Sequence, residues 1–205
     1  MTTADLRVLR IPFSTNVERV ALAAGHKGVA VDWVDVDPAD RSPVQRLSGQ
    51  PLVPVLDAGG GEVVADSMAI LAWLEAARPD PPLWPRDPAR RAEVDVFVDW
   101  FNLVWKGPPN RLADEPGAPT EAADAALLRG WLPRFEALLG GRDFLLGDEL
   151  GVADICAFPF LRYGVTSDPA DREPFHRVLV EQMPIAGRYP RLEAWVHRLD
   201  ALPRA

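Results

Sequence analysis

The chain has 205 residues, of which 48% are hydrophobic and 25% are charged, and its formal net charge is −8. This much apolar side chain offsets the entropy cost of ordering a backbone, so a disordered chain is excluded. No window approaches the roughly 18–20 consecutive apolar residues that span a bilayer, so we expect no membrane protein. The single cysteine, Cys156, excludes an internal disulfide and every all-cysteine metal site.

The acid excess is spread evenly over the chain. Residues 1–85 carry 11 acids and 7 bases and residues 86–205 carry 19 and 15, so each part has a net charge of −4. Neither part offers a basic face to phosphate groups, so we expect no nucleic-acid partner. The three histidines match no zinc-binding spacing, which predicts no metal. Residues 1–5 lack the charged and apolar regions of a signal peptide, and we expect a cytoplasmic protein.

Residues 6–77 alternate strand patterns with helix patterns. Alternating apolar residues predict strands, and apolar residues at helical spacing predict helices. A run of three glycines, Gly59 to Gly61, indicates a hairpin turn between two strands. The predicted strands are 6–11, 29–36, 52–56 and 62–65, and the predicted helices are 16–25 and 66–77. The order β-α-β-(α)-β-β-α predicts a mixed sheet with helices on its faces.

A proline-rich segment separates this part from a wholly helical one. It lacks an apolar period and is too stiff for the interior of a helix or strand, which predicts a linker. Asp87 can cap a helix that begins at Pro88 and that Gly107-Pro108-Pro109 ends. Further helices are predicted at 120–139, 152–163, 173–183 and 190–201. The predicted division is an α/β domain over 1–78, a linker over 79–88 and an all-helical domain over 89–205.

Three motifs of the first domain are suited to binding a ligand. An extended peptide can pair with the main chain of Val53 if the bond to Pro54 is cis, although an ordinary edge-strand proline explains the motif equally well. Asp66 and Ser67 begin a helix, where unpaired N–H groups favour an anion, although plain N-capping is the more common role. The Ser14 hydroxyl, before the first helix, can either stabilise a bound thiolate or cap that helix.

These motifs, in this order, resemble those of the glutathione transferase superfamily. The most specific pieces are Val53-Pro54-Val55-Leu56, Asp66-Ser67, and Phe144-Leu145-Leu146-Gly147-Asp148 leading to Ala153-Asp154. The last piece is similar to the capping signature before the buried helix of the second domain, with Gly151 as the cap. The resemblance covers nearly the whole chain. It implies a thioredoxin-like N-terminal domain, βαβ-ββα, followed by an all-helical C-terminal domain.

The resemblance also implies a role for each matched residue. Glutathione is the implied co-substrate, and its thiolate would attack an apolar electrophile. The implied thiol-binding residues are Leu52, Val53, Pro54, Asp66 and Ser67. The implied catalytic hydroxyl is that of Ser14, with Thr15 and Asn16 as alternatives. The candidates for the electrophile pocket are Phe13, Phe101, Trp105 and Tyr163.

The superfamily resemblance further implies a homodimer and leaves two other functions open. One is a binding or scaffold protein that has the fold without the chemistry, and the other is a thiol-dependent isomerase. Ile11 and Leu52 favour the scaffold, because many members carry a reactive Ser or Cys and a polar residue at those two positions.

Overall fold

The computed structural model describes residues 6–205, which divide into two compact units. Residues 1–5, on which the signal-peptide argument rests, lie outside the described residues. The first unit runs to Leu83, and the second is Trp84–Ala201. The boundary between the units therefore lies inside the segment that the sequence predicts to be a linker.

The last four residues, Leu202–Ala205, belong to the first unit, whereas the sequence-based division groups them with the helices. Trp33 Nε1 donates a hydrogen bond to the carbonyl oxygen of Ala205 over 2.8 Å. The Ala205 N–H in turn donates to the Ala21 carbonyl over 3.2 Å. Such contacts between residues far apart in sequence leave no local pattern, so the sequence does not reveal them.

The first unit is a four-stranded mixed sheet with three helices. Its elements are β1 (Arg7–Arg10), α1 (Thr15–His26), β2 (Asp32–Asp35), α2 (Ser42–Ser48), β3 (Val55–Gly59), β4 (Glu62–Ala65) and α3 (Ser67–Ala77). The strand order is β2-β1-β3-β4, with β1 parallel to β2 and β3 antiparallel to both of its neighbours. The predicted βαβ unit with its following hairpin and helix is confirmed.

The local patterns account for most of these elements. Val17, Val20, Ala21 and Ala24 recur at helical spacing along α1 and are all buried, as the sequence predicts. The strand β3 begins three residues later than predicted, because Pro54 has no N–H to donate to a ladder. A core cluster lies at the same end of the sheet as the candidate motifs and contains Leu9, Ile11, Val36, Val44 and Val55.

The second unit is helical throughout. Its helices are α4 (Pro88–Trp100), α5 (Gly107–Asp114), α6 (Glu121–Leu138), α7 (Val152–Leu161), α8 (Pro174–Gln182) and α9 (Pro190–Asp200). A π-helical turn, Phe101–Trp105, continues α4, and a 3-10 turn, Arg162–Gly164, continues α7. The helix that begins at Pro88 ends with its π-helical turn before Gly107-Pro108-Pro109, as predicted, but a further helix that the sequence analysis did not predict, α5, begins at Gly107. Prolines fit the first turn of a helix, whose N–H groups have no intrahelical partner.

The buried helix α7 carries the predicted capping signature. Gly151 is the N-cap, and the Asp154 carboxylate accepts hydrogen bonds from the N–H groups of Leu145 and Gly151 and from Trp195 Nε1. Burial raises the pKa of Asp154 to about 6, while these three donors act to lower it. The signature therefore serves folding, as the sequence argument expects. Among residues 6–205, no helix combines the length and the apolar character needed to cross a membrane.

Candidate functional site

The three candidate motifs meet at one end of the sheet. The register pairs Val55 at the start of β3 with Leu9 of β1 and with Ala65 of β4. Because β3 runs antiparallel to both neighbours, its first residue lies beside the last residues of β1 and β4. The loop that enters α1, the segment that enters β3 and the start of α3 therefore share one edge of the unit.

Ser14 is the N-cap of α1. Its hydroxyl oxygen accepts a long hydrogen bond of 3.5 Å from the Val17 N–H. Within the described part of the chain, the Ser14 O–H donates a hydrogen bond to no acceptor. Ser14 is half-buried and follows Phe13, a non-glycine residue with a φ of +64°. The residue thus caps the helix and still has a hydroxyl proton available for a bound acceptor.

Asp66 is the N-cap of α3. Its Oδ1 accepts from the N–H groups of Met68 and Ala69 over 2.8 and 3.2 Å. Its Oδ2 accepts no hydrogen bond among residues 6–205, and the residue is exposed. The φ of Asp66 is +81°, a region that costs a non-glycine residue about 1–3 kcal/mol and that is enriched at ligand sites. Capping and ligand binding are therefore compatible here, since one carboxylate oxygen serves the helix and the other is open.

Ser67 lies inside the unit rather than on its surface. Only 1% of its surface is exposed, and its Oγ accepts a hydrogen bond of 3.3 Å from Arg19 Nη1. The same nitrogen lies 3.3 Å from Asn16 Oδ1, and Arg19 itself is 1% exposed. Arg19 therefore joins the start of α1 to the start of α3. The sequence argument missed this residue, although a charged side chain within the apolar pattern of α1 is a usable signal.

The Val53–Pro54 peptide bond is cis, which confirms the expectation drawn from the superfamily resemblance. In the part of the chain that is described, neither the N–H nor the C=O of Val53 takes part in a hydrogen bond. Leu52 is 64% exposed. The side-chain amide of Gln50 binds the main chain of Leu52, with distances of 2.6 Å to its N–H and 2.9 Å to its C=O. Gln50 thus holds the approach to Val53 in place.

The remaining candidates near Ser14 have different surroundings. Thr15 is buried, with 7% of its surface exposed, and Asn16 has its carbonyl oxygen bonded to Arg19. Phe13 is 42% exposed. Ile11 is a buried member of the core cluster and has no polar side-chain atom.

The three aromatic candidates in the second unit are buried. Phe101 and Trp105 have no exposed surface and stack on each other at a centroid distance of 4.4 Å. The Tyr163 hydroxyl lies 2.7 Å from Asp171 Oδ2 and 3.1 Å from His176 Nδ1. Burial lowers the pKa of His176, and the Asp171 carboxylate opposes this effect. These rings serve the helical core, which is the more common role of aromatic residues at helical spacing.

Among the described residues, no group of three or more His, Cys, Asp or Glu side chains could hold a metal ion. The polar groups at this end of the sheet are backbone groups, hydroxyls, one carboxylate and one guanidinium. Such a set suits an organic ligand that has backbone-like amides and a charged end.

Comparisons with known proteins match both units. Residues 9–82 match Glutathione S-transferase, N-terminal domain, and residues 94–203 match Glutathione S-transferase, C-terminal domain. A probable glutathione S-transferase of Solanum tuberosum is 27% identical over 161 residues, which are 75% of this chain and 70% of that protein. FtsZ-localized protein A of Caulobacter vibrioides is 36% identical over 107 residues, which are 46% of this chain and 47% of that protein.

The fold is also that of a solved relative. The Tau class glutathione S-transferase from mango, Mangifera indica, superposes with a TM-score of 0.80 at 19% identity, over 98% of this chain and 91% of that one. The sheet, its helices and the helical second unit define a thioredoxin-like domain joined to an all-helical domain. The chain belongs to the glutathione S-transferase family, whose N-terminal domain match contains every motif at the sheet edge.

Proposed function

We propose that the protein is a glutathione transferase-like enzyme that activates a thiol for attack on an apolar electrophile. The observation that carries this proposal is the register that pairs Val55 with both Leu9 and Ala65, since it gathers the three candidate motifs at one edge. Glutathione has a matching set of groups: a zwitterionic γ-glutamyl end, peptide amides and a central thiol. Family membership supports the same ligand.

The γ-glutamyl end would bind at the start of α3. Its carboxylate would accept from the Ser67 N–H, since Asp66 already caps the N–H groups of Met68 and Ala69, and the helix dipole favours an anion there. Its ammonium group would donate to the open Oδ2 of Asp66. The two groups of the zwitterion thus have separate partners at one helix start.

The cysteinyl part would pair with Val53. Both main-chain groups of this residue lack partners within residues 6–205, and an extended peptide can satisfy them as an added strand would. This pairing sets the position of the sulfur relative to Ser14. Leu52, which precedes Val53, contributes main chain rather than a polar side chain to this segment.

The Ser14 hydroxyl would donate to the sulfur. A hydrogen bond to the thiolate favours the charged form and lowers the pKa of the thiol, so more of the nucleophile is present at neutral pH. The thiolate then forms a bond to an electrophilic carbon, and the leaving group departs with the bonding electrons. The protein thereby contributes activation and proximity, without a covalent intermediate.

The test measures glutathione conjugation to a chlorinated dinitrobenzene by the purified protein. Ser14→Ala should lower kcat/KM by roughly 100-fold, as removal of one donor to a developing anion does in other enzymes. The variant should still bind glutathione in calorimetry. Thr15→Ala and Asn16→Ala, measured in parallel, decide between the three candidate donors.

Ser167→Ala is the matched control, because Ser167 is an exposed serine of the second unit. It should leave conjugation and binding unchanged. A wild-type protein that neither binds glutathione nor turns over the test electrophile would contradict the proposal. Unchanged turnover in Ser14→Ala would remove Ser14 from the mechanism.

A binding or scaffold role is the second candidate function. The exposed Leu52 favours it, because many members of the family carry a polar residue at this position. The similarity to FtsZ-localized protein A, which covers under half of each chain, is consistent with it. Glutathione binding without turnover of several electrophiles would favour this role over catalysis.

We also propose that the protein forms a homodimer. Val96 on α4 and Leu103 in the π-helical turn are 69% and 79% exposed, and a second copy can cover such residues. Sedimentation should show a dimer that Val96→Lys together with Leu103→Lys converts to a monomer. Leu127→Lys, at an exposed residue of α6, is the control. The cytoplasmic location stays a prediction.

A further inference from the structure

Residues 49–54 connect α2 to β3 and lie outside the strands and helices of the first unit. Their position matters for the proposed thiol site, because this segment carries Val53, whose main chain would pair with the cysteinyl part of glutathione. The register of the sheet includes no ladder pair for these residues. The segment is held instead by one polar side chain, that of Gln50, and by its link to the end of α2.

The Gln50 amide occupies both main-chain groups of Leu52. Its Oε1 accepts from the Leu52 N–H over 2.6 Å, and its Nε2 donates to the Leu52 C=O over 2.9 Å. Two residues that face each other in an antiparallel ladder exchange the same pair of hydrogen bonds. The side chain therefore does for Leu52 what a neighbouring strand does in a sheet. The next residue, Val53, is the one whose N–H and C=O have no partner within residues 6–205.

A second set of contacts ties Gln50 to α2. Gln50 Nε2 also lies 3.0 Å from Ser48 Oγ, and this hydroxyl lies 2.9 Å from the Val44 carbonyl oxygen and 3.1 Å from the Gln50 carbonyl oxygen. Val44 has no exposed surface and belongs to the core cluster, against which Val53 is also packed. The Gln50 amide is therefore anchored, through Ser48, to a helix that is itself fixed in the core.

The Gln50 amide has no proton left for a ligand. It is uncharged and half-buried, and its two Nε2 protons are engaged by the Leu52 carbonyl and the Ser48 hydroxyl. Gln50 can therefore act on a bound thiol only through the main chain that it holds. This separates its role from that of Ser14, whose hydroxyl proton has no acceptor among the described residues.

We propose that Gln50 is a positioning residue of the thiol site. This inference rests on the proposed function. Gln50 fixes Leu52 and so holds Val53, together with the sulfur of a ligand paired with Val53, at a set place relative to the Ser14 hydroxyl. A hydrogen bond stabilises a thiolate only at short distance and good alignment, so a displaced sulfur loses this effect. Gln50 thus controls both the affinity for glutathione and the ionisation of its thiol without contacting either.

The experiment measures glutathione affinity by calorimetry and the pKa of the bound thiol by the ultraviolet absorbance of its thiolate. Gln50→Ala should weaken glutathione about tenfold, because the segment around Val53 must then be ordered at the moment of binding. The pKa of the bound thiol should rise toward that of free glutathione. Gln182→Ala is the matched control, since Gln182 is a half-buried glutamine of α8 whose side chain is also hydrogen-bonded. It should leave both quantities unchanged.

Two further variants separate positioning from folding. Gln50→Glu keeps an acceptor for the Leu52 N–H but has no amide proton for the Leu52 C=O, so its affinity and thiol pKa should be intermediate. Ser48→Ala keeps both contacts with Leu52 and removes only the link to α2, so it should shift both quantities in the same direction by less. Urea unfolding of each variant reports the stability of the fold separately.

A residue that only supports folding would lower the unfolding free energy and leave the pKa of the bound thiol at its wild-type value. That result in Gln50→Ala, or an unchanged glutathione affinity, would overturn this inference while leaving the proposed function intact. A wild-type protein that binds no glutathione would contradict the proposed function itself, and the role of Gln50 would be rejected with it.

Discussion

Arg19 and Ser67, 48 positions apart in the chain, are joined inside the first unit by a hydrogen bond of 3.3 Å from Nη1 to Oγ. Both residues are 1% exposed. This contact fixes the start of α3, at which the γ-glutamyl end of glutathione is proposed to bind, relative to the start of α1, which carries Ser14. The two halves of the proposed thiol site therefore share one buried side chain.

Arg19→Met should disturb both halves of this site. Loss of the guanidinium leaves the Ser67 hydroxyl and the Asn16 carbonyl without this donor, which should cost about 1–3 kcal/mol of unfolding free energy in urea. Glutathione affinity should fall in calorimetry, because the start of α3 is less well held. Arg46→Met, at an exposed residue of α2, should change neither quantity. Unchanged affinity in the Arg19 variant would show that this arginine supports folding alone.

The contact between α1 and the returning C-terminal segment depends on a glycine. A Cβ on Gly25 would clash with the carbonyl oxygen of Pro203 and would lie 2.9 Å from the Cα of Arg204, well inside van der Waals contact. Gly25→Val should therefore lower the unfolding free energy by about 1–3 kcal/mol, as overpacking does in other proteins. Removal of residues 202–205 should abolish most of this penalty, because the clashing backbone is gone.

The control for this double-mutant cycle is Gly130→Ala. Gly130 lies inside α6. Apart from the backbone of its own helix, no heavy atom lies within 4 Å of a Cβ added to it. Alanine should stabilise the helix there by about 0.5–1 kcal/mol. If Gly25→Val lowers the unfolding free energy equally with and without residues 202–205, a clash between this segment and α1 does not explain the loss of stability.

Lys27 forms a buried link between α1, α3 and the segment that follows. Its side chain has no exposed surface, and Nζ lies 2.7 Å from Glu75 Oε2, 2.6 Å from the Arg78 carbonyl and 2.8 Å from the Pro81 carbonyl. Lys27→Met would leave the largely buried Glu75 carboxylate without this cation, which should lower the unfolding free energy by about 3–5 kcal/mol. Glu75→Gln, which preserves an acceptor for Nζ, should cost less. If the two variants lose the same unfolding free energy, the contacts of Lys27 Nζ with the Arg78 and Pro81 carbonyls do not contribute to stability.

The buried Asp154 predicts a pH dependence of stability. Its pKa is raised from 3.8 to about 6, so between these values the native chain retains a proton that the unfolded chain has lost. The unfolding free energy contributed by this group is therefore fully present below pH 3.8 and decreases by about 1.4 kcal/mol per pH unit as the pH rises toward 6. Urea unfolding at several pH values measures this slope.

Asp154→Asn should remove that slope, although it also lowers stability at every pH because one of its two acceptor oxygens is lost. Asp148→Asn, at an exposed carboxylate before the same helix, should preserve the wild-type slope. A slope that persists in Asp154→Asn would assign the pH dependence to other groups.

Short-range sequence patterns were sufficient to predict many of the strands and helices. The helical spacing of Val17 and Val20 predicted α1, and the three glycines from Gly59 to Gly61 predicted the hairpin. The start of α5 at Gly107 was missed, because a Gly-Pro-Pro motif ends one helix and begins another with the same residues. At the candidate site, Asp66 and Ser14 were found because each lies at a helix start, which is a local feature.

The sequence by itself determined the family, the order of strands and helices in the first unit, and the helix starts at α1 and α3, since periodicity, turns and caps act over a few neighbouring positions. Only the tertiary structure decided that Arg19 reaches Ser67, that Leu202–Ala205 return to the first unit, and that Arg134 and Arg142 line one groove with Phe97 and Trp100. These contacts join residues through packing and electrostatics. Their energies depend on which distant groups the folded chain brings within a few ångströms, and no short stretch of sequence encodes that.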